Sequence, residues 1–248
     1  MTRHLALIAF ALFAVAAACG LVVLVTPVPG STGGQRSWAA TTWACTEMLW
    51  RKKADLHRDA ASEPRTVDLE WQGGEAIRVD VPARVYYQPG PKAQASVSGE
   101  AELVSHVRMH DGKLTWDTVV NCLPADDLVV RITGPAVTAW TLSGSGELEL
   151  SGIEQDELRI TMRGSGTVNA SGETHMASLD AAGSGRANLS RLDAQHAKAR
   201  IRGSGRADLA AREDADIFIS GSAVVTLHGA GARVQSQVSG SGQIRQVP

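Results

Sequence analysis

The sequence predicts an all-β protein whose C-terminal half is a right-handed parallel β-solenoid, preceded by an irregular β region and an N-terminal hydrophobic helix. Two observations support this fold class: a Gly-Ser-Gly tripeptide that recurs about every 19 residues, and apolar residues that alternate with polar ones around each copy. The composition agrees, because aromatic residues make up only 4% of the chain while glycine occurs 25 times. Such a chain builds its core from small and aliphatic side chains.

Residues 1–25 are predicted to be an N-terminal signal or membrane anchor. Leu5 to Val25 is a run of 21 residues without a charge. As a helix this run is roughly 30 Å long, which matches the hydrocarbon core of a bilayer. Arg3 precedes the run, and this arrangement places the rest of the chain outside the cytoplasm.

Three fates of this segment are open at the level of sequence. It is an uncleaved anchor, a signal peptide cleaved after Ala16-Ala17-Ala18, or a lipoprotein signal in which Cys19 follows those alanines. All three predict export to the cell envelope. The domain is therefore membrane-anchored and faces the periplasm or the outside, or it is cleaved and periplasmic. The cytoplasmic membrane is a partner through the N-terminal segment.

Residues 26–65 are predicted to be a linker with a possible short helix that begins at Trp43. Residues 66–139 contain recurring short β segments, and Asp111-Gly112 has the composition of a two-residue hairpin turn. We expect this region to cap the N-terminal end of the solenoid or to form its first irregular rungs. Cys45 and Cys122 are candidates for a disulfide in an oxidising compartment, with two buried thiols as the alternative.

Residues 140–248 carry the repeat. The first glycines of successive copies are separated by 20, 19, 20, 18 and 19 residues, and the fifth copy ends in alanine. The copies are Gly144-Ser145-Gly146, Gly164-Ser165-Gly166, Gly183-Ser184-Gly185, Gly203-Ser204-Gly205, Gly221-Ser222-Ala223 and Gly240-Ser241-Gly242. One such unit cannot bury its apolar side alone, so the units must stack. The spacing predicts about six rungs of 18–20 residues.

The alternation predicts which side chains face inward. Residues two and four positions before each first glycine are apolar, except Ser236, and the residues between them are mostly polar. A period of two is typical of strands with one buried face. We therefore expect Leu142, Met162, Ile201 and Ile219 in one inward-facing column. Glycine in the middle of such a run permits a bend or a close approach of two backbones.

The segment Ile77-Arg78-Val79-Asp80-Val81, the turn Asp111-Gly112-Lys113-Leu114 and the recurring Gly-Ser-Gly together resemble one known family. It is the putative auto-transporter adhesin, head GIN domain family, and the resemblance covers roughly residues 66–247. It implies a bacterial, exported, β-helical domain, and it supplies no catalytic residues. The segment from Trp38 to Glu63 has no identified place in the family pattern.

No enzyme active site or cofactor site is predicted. Each Gly-Ser-Gly is followed by a strand rather than by a helix, unlike a phosphate-binding loop. Outward acids Glu149 and Asp208 lie three rungs apart, roughly 14 Å, which is too far for a pair that hydrolyses a glycoside. His106 and His110 have no evident third metal ligand, and His196 is expected in a loop between strands.

A candidate ligand patch lies on the central rungs, where five outward arginines are close together in sequence. These are Arg163, Arg186, Arg200, Arg202 and Arg206. The patch could receive an anionic glycan or envelope polymer; the alternative is that these charges prevent aggregation of exposed sheet surfaces. The net charge of −2 gives no reason to expect nucleic acid as a partner.

The sequence thus favours a non-enzymatic cell-envelope binding or adhesion module, whose partner is an envelope polymer, a glycan or a protein surface. A first alternative is a structural protein whose solenoids stack end to end as homo-oligomers. A second is a glycan-active β-helix enzyme, which would need two carboxylates about 5–10 Å apart in a cleft.

Overall fold

The computed structural model describes residues 64–117, 128–229 and 231–248. All of them belong to one compact unit, residues 45–248. The predicted anchor, most of the linker with its possible helix, and both Cys45 and Cys122 lie outside the described residues.

The described chain is almost entirely β structure, with one short helix. The elements are β1 (Arg65–Leu69), β2 (Ala76–Val79), β3 (Arg84–Pro89), β4 (Gln94–Gly99), α1 (Ala101–Val104), β5 (Val107–His110), β6 (Lys113–Trp116), β7 (Val129–Gly134), β8 (Ala139–Gly144), β9 (Glu147–Gly164), β10 (Thr167–Gly183), β11 (Arg186–Gly203), β12 (Arg206–Ala210), β13 (Asp214–Gly221), β14 (Val224–His228), β15 (Arg233–Gly240) and β16 (Gln243–Val247).

The predicted parallel β-solenoid is confirmed. Strands β9, β10 and β11 pair in parallel, each displaced from the last by one repeat, so that Gly164 aligns with Gly183 and Gly183 with Gly203. The later strands continue the stack in the same register. The six copies of the tripeptide delimit about 5 turns of the solenoid. One such turn is called a rung below.

The inward columns form the core that the alternation predicts. Leu142 aligns with Met162, and Ile201 with Ile219, in a column that Ala181 completes. The four larger side chains of this column are buried, at 4% exposure or less. Burying a Leu, Ile or Met side chain contributes about 1.5–3 kcal/mol each, so the stacked columns supply the main stabilisation of the fold.

The Gly-Ser-Gly turns stack into one corner of the solenoid. The first glycine of every copy has a positive φ, between +91° and +127°. The serine N–H of one rung donates to the first glycine carbonyl of the preceding rung, as from Ser165 to Gly144 at 3.0 Å. These bonds hold neighbouring rungs so close that a Cβ on Gly164 would lie 2.5 Å from the Gly144 carbonyl oxygen.

The first two rungs are built out of chain order. Strand β2 pairs in parallel with β8 on one side and with β6 on the other. Strand β3 likewise lies between β9 and β7. Strands β2 and β3 come first in the chain, but the rung that they form lies inside the stack. Strands β6 and β7 come later in the chain and form the rung beneath it.

Antiparallel strands cover the N-terminal end of the stack. Strand β4 pairs antiparallel with β7, and β1 pairs antiparallel with β4. Strands β5 and β6 form a hairpin through Asp111 and Gly112, both with positive φ. Aspartate and glycine tolerate this conformation, which explains why the Asp-Gly pair closes the hairpin.

Replacement of corner glycines tests the close approach of the rungs. Gly164→Ala should lower the free energy of unfolding by about 4 kcal/mol or more, because it adds a backbone clash to the strain of a positive φ. Gly144→Ala has the same kind of φ but meets nothing within 4 Å, so it should cost only about 1–2 kcal/mol. Gly205→Ala isolates the clash, since its Cβ would lie 2.7 Å from the Gly185 carbonyl oxygen without φ strain.

Chemical denaturation of the three variants measures these differences. Equal losses for Gly144→Ala and Gly164→Ala would show that φ alone, and not contact between rungs, requires glycine.

Asp80 links the rung that contains β2 to strand β6, and it makes a pH-dependent contribution to the free energy of unfolding. Its carboxylate lies 2.9 Å from Arg78 Nε and 3.5 Å from Lys113 Nζ. Partial burial raises the pKa of Asp80, but the nearby Ser143 hydroxyl together with Arg78 and Lys113 outweighs that effect and holds the pKa below its ordinary value of 3.8. This contribution is complete above the unfolded-state pKa and is lost as pH falls through the lower folded-state pKa.

Asp80→Asn should therefore lower the Tm at neutral pH by roughly 2–4 °C, the shift that about 1 kcal/mol produces in a domain of this size. The difference from wild type should shrink as the pH falls below 3.8 and disappear below the lower folded-state pKa, where the wild-type carboxyl is also neutral. Asp111→Asn, a change to an exposed turn carboxylate, is the matched control and should alter the Tm little. A Tm difference for Asp80→Asn that is independent of pH would contradict this assignment.

Candidate functional site

The corner places six serines in one exposed column along the solenoid. This serine column consists of Ser145, Ser165, Ser184, Ser204, Ser222 and Ser241. The N–H groups of Ser165, Ser184, Ser204 and Ser222 donate to the preceding rung, and all six serines are exposed. Neighbouring hydroxyls repeat at the spacing of parallel strands, about 4.8 Å.

A shallow groove of ≈ 320 Å³ runs beside the central part of this column. Its polar side chains come from three successive rungs, and no acidic residue lines it. They are Ser165, Thr167, Ser184, Arg186, Ser204 and Arg206. The groove is called the corner groove below.

Two of the predicted arginines lie next to each other in the corner groove. Arg186 on β11 is aligned with Arg206 on β12, and Arg186 is aligned with Thr167 on its other side. Both arginines are exposed. Within the described part of the chain neither has an ion pair with an acid.

The other three predicted arginines lie on the opposite side of the serine column. Arg163 and Arg202 share one outward column, with Ala182 between them. Arg202 forms an ion pair with Asp180 at 2.7 Å, and Arg200 stacks over the ring of Phe218 at 5.9 Å from its centroid. The guanidinium groups of Arg200 and Arg202 are thus already engaged, whereas Arg163, like the groove pair, has no ion pair among the described residues.

The outward row considered for catalysis does not bring two acids together. Glu149, Asn169, Asn188 and Asp208 align on four successive strands, so Glu149 and Asp208 lie three rungs apart. Glu149 is also within 3.9 Å of Arg191. This row has amide groups where a glycosidase would need its second carboxylate.

An acidic surface that the sequence analysis missed lies elsewhere on the rungs. Glu154, Glu173 and Asp193 align on β9, β10 and β11 beside a groove of ≈ 300 Å³. Glu154 and Glu173 are exposed, and Asp193 is bound by Arg212. These acids stand side by side on one surface rather than across a substrate, and the exposure of both glutamates provides no apolar pocket for a proton donor.

A further cluster contains a histidine that the sequence analysis placed wrongly. His196 lies inside β11 rather than in a loop, because the strand continues around its bend. Its Nδ1 is 2.9 Å from Asp214 Oδ2, and Glu213 adjoins them. Arg233 also binds Asp214, at 2.9 Å, so this carboxylate already has a cationic partner within the protein.

The fold defines the class of protein: a parallel β-solenoid built from a glycine-cornered repeat, with antiparallel strands over one end. Within this class, the family model of the putative auto-transporter adhesin, head GIN domain, matches residues 75–231. The chain belongs to this adhesin-like family, which confirms the resemblance seen in the sequence. The family and the fold favour a non-enzymatic, envelope-associated module.

One solved structure agrees with the fold, and two others superpose less well. A putative adhesin from Bacteroides fragilis NCTC 9343 is 19% identical and superposes with a TM-score of 0.61, covering 75% of this chain and 98% of that chain. A putative adhesin from Parabacteroides merdae ATCC 43184 is 18% identical, with a TM-score of 0.46 and coverage of 75% and 96%. A putative lipid binding protein from Parabacteroides distasonis ATCC 8503 is also 18% identical, with a TM-score of 0.44 and coverage of 75% and 97%.

No curated protein matches the chain. Across the described ranges, the structure contains no helix with the length and apolar character needed to cross a membrane.

Proposed function

We propose that this chain is a non-enzymatic binding or adhesion module that is exported and presented outside the cytoplasmic membrane. The corner groove is the observation that carries the proposal. It is a polar, exposed channel built from equivalent positions on successive rungs, and backbone hydrogen bonds between rungs hold the corner beside it. Repeat folds commonly bind through such regular outward surfaces.

The N-terminal sequence supports the location. The 21-residue uncharged run behind Arg3 is long enough to anchor the chain in the cytoplasmic membrane, and membership of an adhesin-like family agrees with export. The polar segment that follows the run would separate the solenoid from the membrane. The partner in this setting is an envelope polymer, a glycan or a protein surface.

A binding array of glycans and envelope polymers tests the proposal with the full chain in neutral detergent micelles. We expect selective binding that Ser184→Gln weakens at least about tenfold, because the longer side chain fills the corner groove and about 1.4 kcal/mol corresponds to that factor. Ser178→Gln on β10 changes a residue outside the groove lining and should leave binding unchanged.

Two results would contradict the proposal. The first is an absence of binding to every member of the array, and the second is release of shortened products from a bound glycan, which would indicate catalysis.

A second candidate function, self-assembly, is favoured by the C-terminal end of the solenoid. Strands β15 and β16 each pair with a preceding strand, and among the described residues no strand pairs with their other edges. Val238, at the inward position of β15, is 42% exposed. The opposite end is covered by antiparallel strands, so we propose that contact would join two C-terminal ends in a closed dimer rather than a fibre.

Analytical ultracentrifugation of the full chain in detergent discriminates this candidate. Self-assembly through the last rung predicts a monomer–dimer equilibrium that shifts with concentration, and Val238→Lys should abolish the dimer by placing a charge on the open end. A strict monomer across the accessible concentration range would remove the candidate. The matched control is Gln235→Lys, which adds the same charge at an outward position of β15.

A further inference from the structure

The adjacent arginines of the corner groove make an unbalanced local charge. Arg186 and Arg206 are aligned on neighbouring parallel strands, whose backbones are about 4.8 Å apart. Like charges directly opposite one another destabilise a sheet. Asp208 follows Arg206 by two residues on the outward face of β12, but neither it nor any other acidic side chain in the described residues forms an ion pair with either arginine. No direct contact with an acid therefore offsets the repulsion. An anion bound between the two guanidinium groups would do so.

Hydroxyl donors lie alongside the two guanidinium groups. Ser165, Ser184 and Ser204 line the same groove, as does Thr167 next to Arg186. The backbone N–H groups of the three serines are already used between rungs, which leaves their side chains as donors. Guanidinium and hydroxyl groups together are suited to the oxygens of carboxylate, sulfate or phosphate groups.

The corner groove and the groove beside Glu154 and Glu173 also differ in the charges that line them. Arg163 lies on the other side of the serine column from the groove pair and likewise has no ion pair within the described chain. Glu154 and Glu173 are aligned beside a separate groove, away from the corner groove. Asp208 lies near Arg206 on the outward face of β12 but does not line the corner groove. The groove lining is therefore positive although the whole chain carries a net charge of −2, and a positive cleft concentrates anionic partners near it.

The shape of the site favours a linear ligand. The corner groove crosses three rungs and offers equivalent donors at each step, so a chain that repeats its anionic groups can contact several rungs at once. The large apolar residues that the structure exposes, Tyr86, Phe218 and Val238, do not line the groove. A membrane surface would be expected to contact exposed apolar side chains as well as cations.

From these observations we infer that the corner groove binds a linear anionic polysaccharide or similar polyanionic polymer, with Arg186 and Arg206 as the principal contacts and the groove hydroxyls as secondary donors. This inference rests on the proposed binding function and names its ligand class. The chemistry recognised is a series of carboxylate, sulfate or phosphate groups along one chain.

Affinity measurements with the full chain in neutral detergent micelles test the inference. The probes are heparin, polygalacturonate and inorganic polyphosphate, with neutral dextran as the uncharged control. Arg186→Gln/Arg206→Gln should weaken binding of at least one anionic probe by about 30-fold or more, roughly 2 kcal/mol, because the variant removes both charged donors of the groove. The dependence of affinity on salt should also become shallower.

The matched control removes the same charge from another surface. Arg212→Gln/Arg233→Gln also eliminates two exposed guanidinium groups, but these already bind Asp193 and Asp214. This variant should bind the anionic probes as wild type does. An equal loss in both double variants would mean that only net charge matters, and it would overturn the inference.

A gain-of-function variant keeps the inference testable if the double variants fold poorly. Thr167→Arg extends the pair of aligned arginines to three rungs and should tighten binding about fivefold, roughly 1 kcal/mol. Gln235→Arg adds the same charge on β15, outside the groove lining, and should have little effect. No gain from Thr167→Arg, with the variant folded by circular dichroism, would count against the inference.

The outcomes also separate this inference from the function on which it rests. Binding to neutral glycans of the array but to none of the anionic probes would overturn the ligand class and leave the binding function standing. Binding to phosphatidylglycerol vesicles without binding to any soluble polyanion would replace the polymer with a membrane surface and overturn the inference. The absence of every ligand would overturn both.

Discussion

The close approach of successive rungs at the glycine corner is the constraint on which the rest of the structure depends. The carbonyl of Gly144 occupies the space that a Cβ of Gly164 would need, and the same relation recurs along the corner. Only glycine permits this approach together with a positive φ. Because every rung must present its glycines at the same corner, the register of all other positions follows, including the buried column from Leu142 to Ile219 and the exposed serine column.

Much of this architecture could be predicted because its determinants are local in sequence. The tripeptide fixes the period, and the alternation around it identifies the inward residues, of which Met162 and Ile201 are examples. The out-of-order N-terminal rungs could not be predicted, since the position of β2 between β6 and β8 depends on pairing between distant segments. A shift in register between β10 and β11, between Asn169 and Ser171, was also missed. Gly172 next to it has a positive φ, but Leu192 holds the aligned position on the next rung, so no repeated motif marks the shift.

The candidate site was predictable only as a set of residue types. Sequence spacing groups five arginines, but it does not reveal which ones have partners on neighbouring rungs. Asp180 lies 22 residues from Arg202 in sequence and forms an ion pair with it, and Phe218 from the next rung lies under Arg200. These contacts leave Arg186 and Arg206 as the aligned pair without an acid among the described residues. In a solenoid, side chains about one repeat apart are neighbours, and sequence proximity is a poor guide to the composition of an outward surface.

The number of cations in the corner groove determines how strongly one copy of the module would bind a polyanion in an envelope. The column that contains Arg186 and Arg206 has Thr167 on one side and Val224 on the other, and Glu147 follows beyond Thr167. A polyanion would therefore meet two principal cations on one solenoid, which limits the affinity of a single contact and makes it sensitive to salt. Many copies held on one membrane surface would bind the same polymer repeatedly, and the effective concentration of neighbouring grooves would raise the overall affinity. An adhesion module benefits from this arrangement, because individually weak contacts allow the attachment to be both strong in sum and reversible.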